Sequence, residues 1–115
     1  MLAPAEKQVL RLQSEICKTL SHPKRLEMLH ELRDGERTVS ELCAATGLRQ
    51  ANVSQHLALM RHHKMVIERR AGNTVFYRIA DKRITKACDI MREVLLHRAS
   101  EDSKLVRLVS ATSRS

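Results

Sequence analysis

Midway along the chain the apolar residues change their repeat. Up to Met60 they recur at helical spacing, but Val66-Ile67-Glu68-Arg69-Arg70 and Thr74-Val75-Phe76-Tyr77-Arg78-Ile79 are rich in β-branched and aromatic residues and enclose Ala71-Gly72-Asn73. Such runs on either side of a glycine-containing turn predict a β-hairpin. A lone ribbon set among helices limits the chain to a mainly α class with a small β element (α+β).

The helices are marked by spacing and by punctuation. Val9, Leu12, Ile16 and Leu20 share one stripe of a helix predicted over Ala5–Leu20, with Leu10 and Cys17 beside it. Ser21-His22-Pro23 ends that helix and starts a second, because serine caps and proline is tolerated in a first turn. The second helix carries Leu26, Met28, Leu29 and Leu32 and closes at Asp34-Gly35. Thr38 followed by Glu41 has capping-box spacing and opens a short helix that stops at Gly47. Another helix is predicted from about Arg49 to His62, with Val53, Leu57 and Met60 on its buried stripe and Gln50, Asn52 and Gln55 on its polar side. After the hairpin, Asp81 is placed to cap a last long helix from Lys82 to about Ser100, with Ile84, Ala87, Cys88, Met91 and Leu95 as its apolar stripe. One or two further helical turns are expected over Lys104–Val109, and Ser110–Ser115 reads as a frayed, disordered tail.

At 115 residues the chain is expected to form one functional domain, residues 1–109, followed by that tail. Its core must be aliphatic, since Phe76 and Tyr77 are the only aromatic residues of the Phe, Tyr and Trp group. This argues against readers of single strands or RNA that stack bases on aromatic platforms. The formal charge is +8 and is unevenly placed. Met1–Leu48 carries seven residues of each sign, whereas Arg49–Arg83 carries eight basic residues against Glu68 and Asp81 alone. A neutral scaffold followed by a basic middle points to a polyanion-binding face. No apolar run approaches the roughly 20 residues that cross a bilayer and no signal-peptide core opens the chain, so a soluble cytoplasmic protein without membrane partners is expected. The three cysteines, Cys17, Cys43 and Cys88, are odd in number and far apart, which fits neither a secreted disulfide framework nor a C-x-x-C zinc site. Gly-rich phosphate loops, G-x-S-x-G and metalloprotease motifs are missing, and catalysis is not expected.

A short capped helix, a glycine turn and a second helix with polar residues at its start form a helix-turn-helix pattern. The two-stranded ribbon directly after it, with Arg69 and Arg70 entering the turn, makes this a winged helix-turn-helix. With Leu20-Ser21-His22-Pro23-Lys24-Arg25-Leu26, Thr38-Val39-Ser40-Glu41-Leu42, Asn52-Val53-Ser54-Gln55-His56-Leu57 and Phe76-Tyr77-Arg78-Ile79, the chain resembles the ArsR/SmtB family of bacterial and archaeal repressors from about Ile16 to Ala99. The resemblance implies a homodimer held by the first and last helices, which covers operator DNA and leaves it when an effector binds. The stripes Val9-Leu12-Ile16 and Ile84-Cys88-Met91-Leu95 also exceed what one small core needs, which fits the pairing of two chains. A two-fold dimer in turn calls for double-stranded operator DNA with inverted-repeat half-sites.

An α-helix fits the major groove, where the amides of Gln50, Asn52 and Gln55 can pair with base edges. The plainer alternative is that these are solvated surface residues. The hydroxyl of Ser54 and the imidazole of His56 suit phosphate, and for His56 a structural hydrogen bond is an equal alternative. Arg69, Arg70 and Asn73 on the hairpin are placed to reach flanking backbone or the minor groove. Arg49 stands where the family usually has a capping serine; it cannot cap in that way but adds a phosphate-seeking charge. His62 and His63 are adjacent and point in different directions on a helix, so they are taken as solvated residues rather than a metal pair.

The effector is less constrained. Family members that bind zinc at the last helix use Asp-x-His followed by His-x-x-Glu or His. Here those positions are Asp81, Arg83, Val94 and His97, and Arg83 puts a permanent positive charge where a dication would sit. Members with a thiolate site carry Cys-x-Cys after Glu-Leu, and Glu41-Leu42-Cys43-Ala44-Ala45 retains one of the two sulfurs. One thiolate is a poor soft-metal site, so no metal site is assigned and no cofactor is required. The resemblance brings Cys17 and Cys88, on the first and last helices, together at the dimer interface. They are either packing thiols or a dithiol switch that takes an oxidant, sulfane sulfur or a thiophilic metal or metalloid such as arsenite, with Cys43 as the runner-up sensor. Two other functions stay open: a helix-turn-helix module that binds protein, and a DNA-binding regulator without an effector.

Overall fold

The computed structural model describes residues 1–98 and 103–113. The chain divides into two compact units, Met1–Lys82 and Arg83–Ser115. The first contains α1 (Pro4–Thr19), α2 (Pro23–Glu31), β1 (Arg37–Thr38), α3 (Val39–Thr46), α4 (Gln50–His62), β2 (Val66–Ala71) and β3 (Thr74–Ile79). Its core is aliphatic: Met28, Leu29 and Leu32 from α2 and its C-cap, Leu42 from α3, Val53, Leu57 and Met60 from α4, and Met65 and Val66 at the start of the ribbon, each no more than 2% exposed. Each such side chain contributes about 1.5–3 kcal/mol by leaving water.

Local chemistry explains most element boundaries. The capping box of α3 is complete: Thr38 Oγ1 accepts from the Glu41 backbone at 3.2 Å and the Thr38 backbone donates to Glu41 Oε1 at 3.0 Å. Gly47 ends α3 in the left-handed region at φ 74°, a conformation that glycine alone adopts without a Cβ penalty. It is the hinge between α3 and α4. The α2 cap differs from expectation. His22, not Ser21, is the N-cap, its Nδ1 accepting from the Lys24 backbone at 3.1 Å. Ser21 Oγ instead donates to the Cys17 carbonyl at 2.9 Å and closes the end of α1. Helix α2 also stops at Glu31, three residues before the expected Asp34-Gly35.

Leu26 was expected to face the core but is 43% exposed. At about 100° per residue, Arg25 and not Leu26 falls in line with Met28, Leu29 and Leu32. The apolar stripe of α2 therefore contains a cation, which periodicity alone hides.

The ribbon belongs to a three-stranded antiparallel sheet in the order β1-β3-β2. Ala71 faces Thr74 across the two-residue turn, and Gly72 supplies φ 62° at its first position, where a type II′ turn requires it. Arg37 and Thr38 of β1 pair with Tyr77 and Phe76. This strand was not anticipated, because two residues define no period and its partner lies some forty positions away in the chain.

Apart from Thr19, α1 is exposed along its whole length, its apolar stripe included: Val9 is 55%, Leu12 52% and Ile16 38% exposed. The second unit contains α5 (Lys82–Arg98), apart from its first residue, and α6 (Ser103–Ser113). On α5 only Thr85 is buried, Ile84 and Cys88 are half-buried, and Met91 and Leu95 are exposed. Ala99 and Ser100, where the long helix and the resemblance were expected to end, lie outside the described residues. Helix α6 runs through Ser113, into the stretch expected as a tail; Arg114 and Ser115 lie outside the described residues. Extending a helix already formed adds one backbone bond per residue, and the Thr112 hydroxyl donates to the Leu108 carbonyl one turn back. Among the described residues no helix is long and apolar enough to cross a membrane.

Candidate nucleic-acid interface

Helix α4 has one buried and one open side. Val53, Leu57 and Met60 are fully buried, so its rotation is set by the core. At about 100° per residue this turns Gln55 directly outward, with Asn52 and Ser54 flanking it. All three, together with Gln50 and Arg49, are exposed. Arg49 is the N-cap in extended conformation and makes no side-chain cap bond. The first-turn N–H groups of α4 are thus open toward solvent, where an anion is favoured by both hydrogen bonding and the helix dipole.

His56 sits at the edge of the buried stripe and is half-buried. Its Nδ1 accepts from Arg25 Nε at 3.0 Å, and its ring meets that of His22 edge-on at 4.7 Å between centroids. Burial lowers the pKa of His56 below the ordinary histidine value, and His22 and Arg25 act in the same direction. The structural hydrogen bond that was one of two alternatives for His56 is therefore made at Nδ1. Arg25 also donates from Nη1 to the Thr19 carbonyl at 2.9 Å. Beside it, Lys24 Nζ donates to the Thr46 carbonyl at the end of α3 (2.9 Å) and pairs with Glu27 at 3.0 Å. The His22-Pro23-Lys24-Arg25 corner thus ties the ends of α1 and α3 and the middle of α4. In the sequence these residues stand out only as part of a motif; the usable signal was a basic residue in line with an apolar stripe.

The ribbon separates two arginines that the sequence treats as a pair. Strand alternation puts Arg69 and Arg70 on opposite faces. Arg69 is engaged: Nε bonds Glu36 Oε2 at 2.8 Å and the guanidinium lies 4.6 Å from the Phe76 ring centroid, Phe76 being its cross-strand partner. The hydrogen bond to Arg69 lowers the pKa of Glu36. Arg70 is exposed and makes no ion pair with any described residue, and Asn73 is exposed at the tip of the turn. On the Arg70 face, Glu68 Oε2 accepts from Tyr77 Oη at 3.3 Å and pairs with Arg61 of α4 at 2.8 Å, fastening ribbon to helix. Burial, followed by Glu68, raises the pKa of Tyr77.

The thiols lie on three different helices: Cys17 is exposed on α1, Cys43 is half-buried on α3 and Cys88 is half-buried on α5. His62 ends α4 and His63 caps it, with ring centroids 5.0 Å apart. With Glu15, Lys18, Arg25 and Leu59 they line an open cleft of about 400 Å³. Among the described residues no group of three or more His, Cys, Asp or Glu side chains is arranged to hold a metal ion.

A capped helix, a left-handed glycine, an outward-facing polar helix and an antiparallel ribbon together define a winged helix-turn-helix domain. Residues 22–67 match the model of the bacterial regulatory protein, arsR family. Over 86 residues the chain is 38% identical to the HTH-type transcriptional regulator Rv0081 of Mycobacterium tuberculosis, spanning 74% of this chain and 75% of that one. Over 101 residues it is 33% identical to the HTH-type transcriptional repressor SmtB of the same organism, spanning 88% and 72%. The crystal structure of Rv0081 is similar with a TM-score of 0.76 at 34% identity, over 88% of this chain and 98% of that chain. The solution structure of the homodimeric winged helix-turn-helix DNA-binding domain of Mb0332 from Mycobacterium bovis, a possible ArsR-family regulator, gives 0.77 at 26% identity, over 86% and 93%. The chain belongs to the ArsR family of bacterial regulatory proteins.

Proposed function

We propose that the protein is a dimeric, sequence-specific DNA-binding repressor of transcription, released from its operator by a thiol-reactive effector. Helix α4 carries this reading, because its core-facing stripe fixes its rotation and leaves the amides of Gln50, Asn52 and Gln55 facing outward at an uncapped N-terminus. In the major groove those amides meet base edges, while Arg49, Ser54 and His56 meet phosphate. Arg70 and Asn73 reach the flanking backbone from the ribbon; Arg69, held by Glu36, follows only if that pair opens. Support for a dimer comes from the exposed apolar stripes of α1 and α5. The relative SmtB is a repressor and Mb0332 a homodimer. Two-fold symmetry then sets inverted half-sites about one helical turn apart, or a multiple of it. Operator binding places the protein in the cytoplasm, with residues 1–109 acting as one unit. For the effector, Cys17 and Cys88 are the candidate sensors and Cys43 the runner-up; an oxidant would take two electrons and two protons from such a pair, whereas arsenite would exchange an As–OH for an As–S bond at each thiol and release one water per sulfur.

The test is competition between the DNA upstream of the protein's own gene and random duplex across a salt series. The operator should win by at least about a thousand-fold, with a steep fall of affinity in salt. Equal affinity for the two duplexes would overturn the repressor reading and favour a protein-binding module. Release by polysulfide, peroxide or arsenite in wild type but not in Cys17→Ser or Cys88→Ser supports the sensor assignment; release blocked only in Cys43→Ser moves it to α3. If no agent releases any variant, the protein regulates without a thiol effector.

A further inference from the structure

Arg25 occupies a position in line with the core stripe of α2, where a cation needs partners to offset its lost hydration. It has two, both on other helices: the Thr19 carbonyl at the C-terminal end of α1 and His56 Nδ1 on α4. A neutral imidazole that accepts at Nδ1 carries its proton on Nε2. No described residue accepts from that Nε2, and among the described residues no side-chain nitrogen without a partner is fully buried, so Nε2 keeps access to solvent. Along α4, His56 follows Gln55 directly and stands one turn after Asn52.

We propose that Arg25 is a positioning residue for DNA recognition, which holds His56 as a neutral Nε2–H donor for a DNA phosphate and sets α4 against the end of α1. This rests on the reading of α4 as the DNA-contacting helix. An imidazolium has no lone pair at Nδ1, so protonation of His56 turns the Arg25 contact into a meeting of two N–H donors. The tie is then lost. The charged groups that bear directly on His56 are His22 and Arg25 from the start of α2; α1 supplies the Thr19 carbonyl to Arg25, and its Glu15 and Lys18 line the same cleft as Arg25, with His62 and His63 of the α4 end. With the tie open, the His56 imidazole loses its fixed orientation and with it the phosphate contact that sets the register of α4, so sequence discrimination falls, while the added charge favours any duplex. The ratio of operator to random binding is therefore the informative quantity.

The experiment uses the full chain and a duplex enriched by the wild type from a randomised library at about pH 7.5, with random duplex as competitor. Arg25→Gln should lower the discrimination ratio about five-fold or more, and the wild-type ratio should fall towards the same level as pH drops below the ordinary histidine range and His56 takes up its proton. His56→Gln keeps an acceptor for Arg25 and an amide donor for phosphate but takes no proton. It should retain a reduced preference that no longer changes with pH, whereas His56→Ala loses it throughout. Wild-type discrimination by Arg25→Gln, or a His56→Gln curve that follows the wild-type pH profile, overturns the inference. Should Arg25→Gln fail to fold, as judged by circular dichroism, the wild-type and His56→Gln curves decide. If the wild type enriches no duplex, the assignment of α4 to DNA has failed, and this inference with it.

Discussion

Helices α1 and α4 carry apolar stripes of the same kind, yet the chain treats them in opposite ways. The α4 stripe, Val53-Leu57-Met60, is fully buried, while the α1 stripe, Val9-Leu12-Ile16, lies open. Spacing identifies the face a helix will turn away from water; it does not say what covers that face. For α4 the cover is the core of its own unit. For α1 the described residues of the unit provide none along the stripe, so a partner must come from elsewhere, and a second copy of the chain is the proposed one.

Truncation tests this difference most strongly. Leu57→Ala should cost about 2–5 kcal/mol of folding stability by leaving a cavity at a fully packed position. Leu12→Ala should leave the dilute chain nearly as stable but raise the concentration at which it self-associates, seen by sedimentation equilibrium. For a dimer the unfolding midpoint should also rise with protein concentration in wild type, and less in Leu12→Ala. A large loss in Leu12→Ala that is independent of concentration would mean that α1 is packed within its own chain.

The open side of α4 supplies the next effect. Gln55→Ala should cost roughly 1–3 kcal/mol on the selected operator and relax specificity, with no change in thermal midpoint. If operator preference is untouched, α4 does not read bases. The ribbon arginines should then split: Arg70→Ala lowers the salt slope by about one for its lost phosphate contact. Arg69→Ala leaves the slope nearly unchanged and loosens the ribbon where Glu36 holds it, which faster amide exchange over β2 and β3 would reveal.

Most of this architecture was legible because its signals are local. Thr38 and Glu41 lie within one turn, Gly47 and Gly72 sit where a left-handed backbone is needed, and the repeat changes where the ribbon begins. What escaped depends on pairing across distance. Strand β1 exists only through Tyr77 and Phe76 of β3. Arg25 looks like a break in a stripe until Thr19 and His56 are found around its guanidinium. The even treatment of Arg69 and Arg70 fails for the same reason, since Glu36 approaches only one face of the ribbon. The open side of α4 was easier to anticipate than the ties beneath it, because exposed amides and cations require no partner to be recognised.

A smaller effect follows from the half-buried imidazole on α4. His56 has a lowered pKa in the folded chain and an ordinary one near 6.5 when unfolded. The unfolded chain therefore binds this proton more readily as pH falls. The stabilising contribution is fully present above about pH 6.5 and is lost as pH drops through the folded value. The difference in thermal midpoint between wild type and His56→Gln should accordingly shift against the wild type on acidification. A constant difference from pH 7.5 down to about 5 would show that His56 does not report this loss.

The smallest expected change lies at the end of α4. Lys64 has φ 58°, a left-handed backbone unusual for a lysine, directly after the His63 cap. The Met65 N–H bonds the Met60 carbonyl at 2.8 Å and the Lys64 N–H bonds that of Arg61 at 2.9 Å, the paired bonds of a Schellman ending. Met60 and Met65, both buried, supply its apolar contact. Glycine is the usual residue at the left-handed position, where a Cβ costs about 1–2 kcal/mol. Lys64→Gly relieves that strain but adds about 0.5–1 kcal/mol of unfolded-state entropy, leaving a net gain near 0.5 kcal/mol, or about 2–4 °C in thermal midpoint. Lys64→Ala keeps the Cβ and removes the charge, so it should show no gain. Equal stabilisation by both would trace the effect to charge rather than backbone, and a loss in Lys64→Gly would mean that the lysine side chain itself holds the end of α4 to the ribbon.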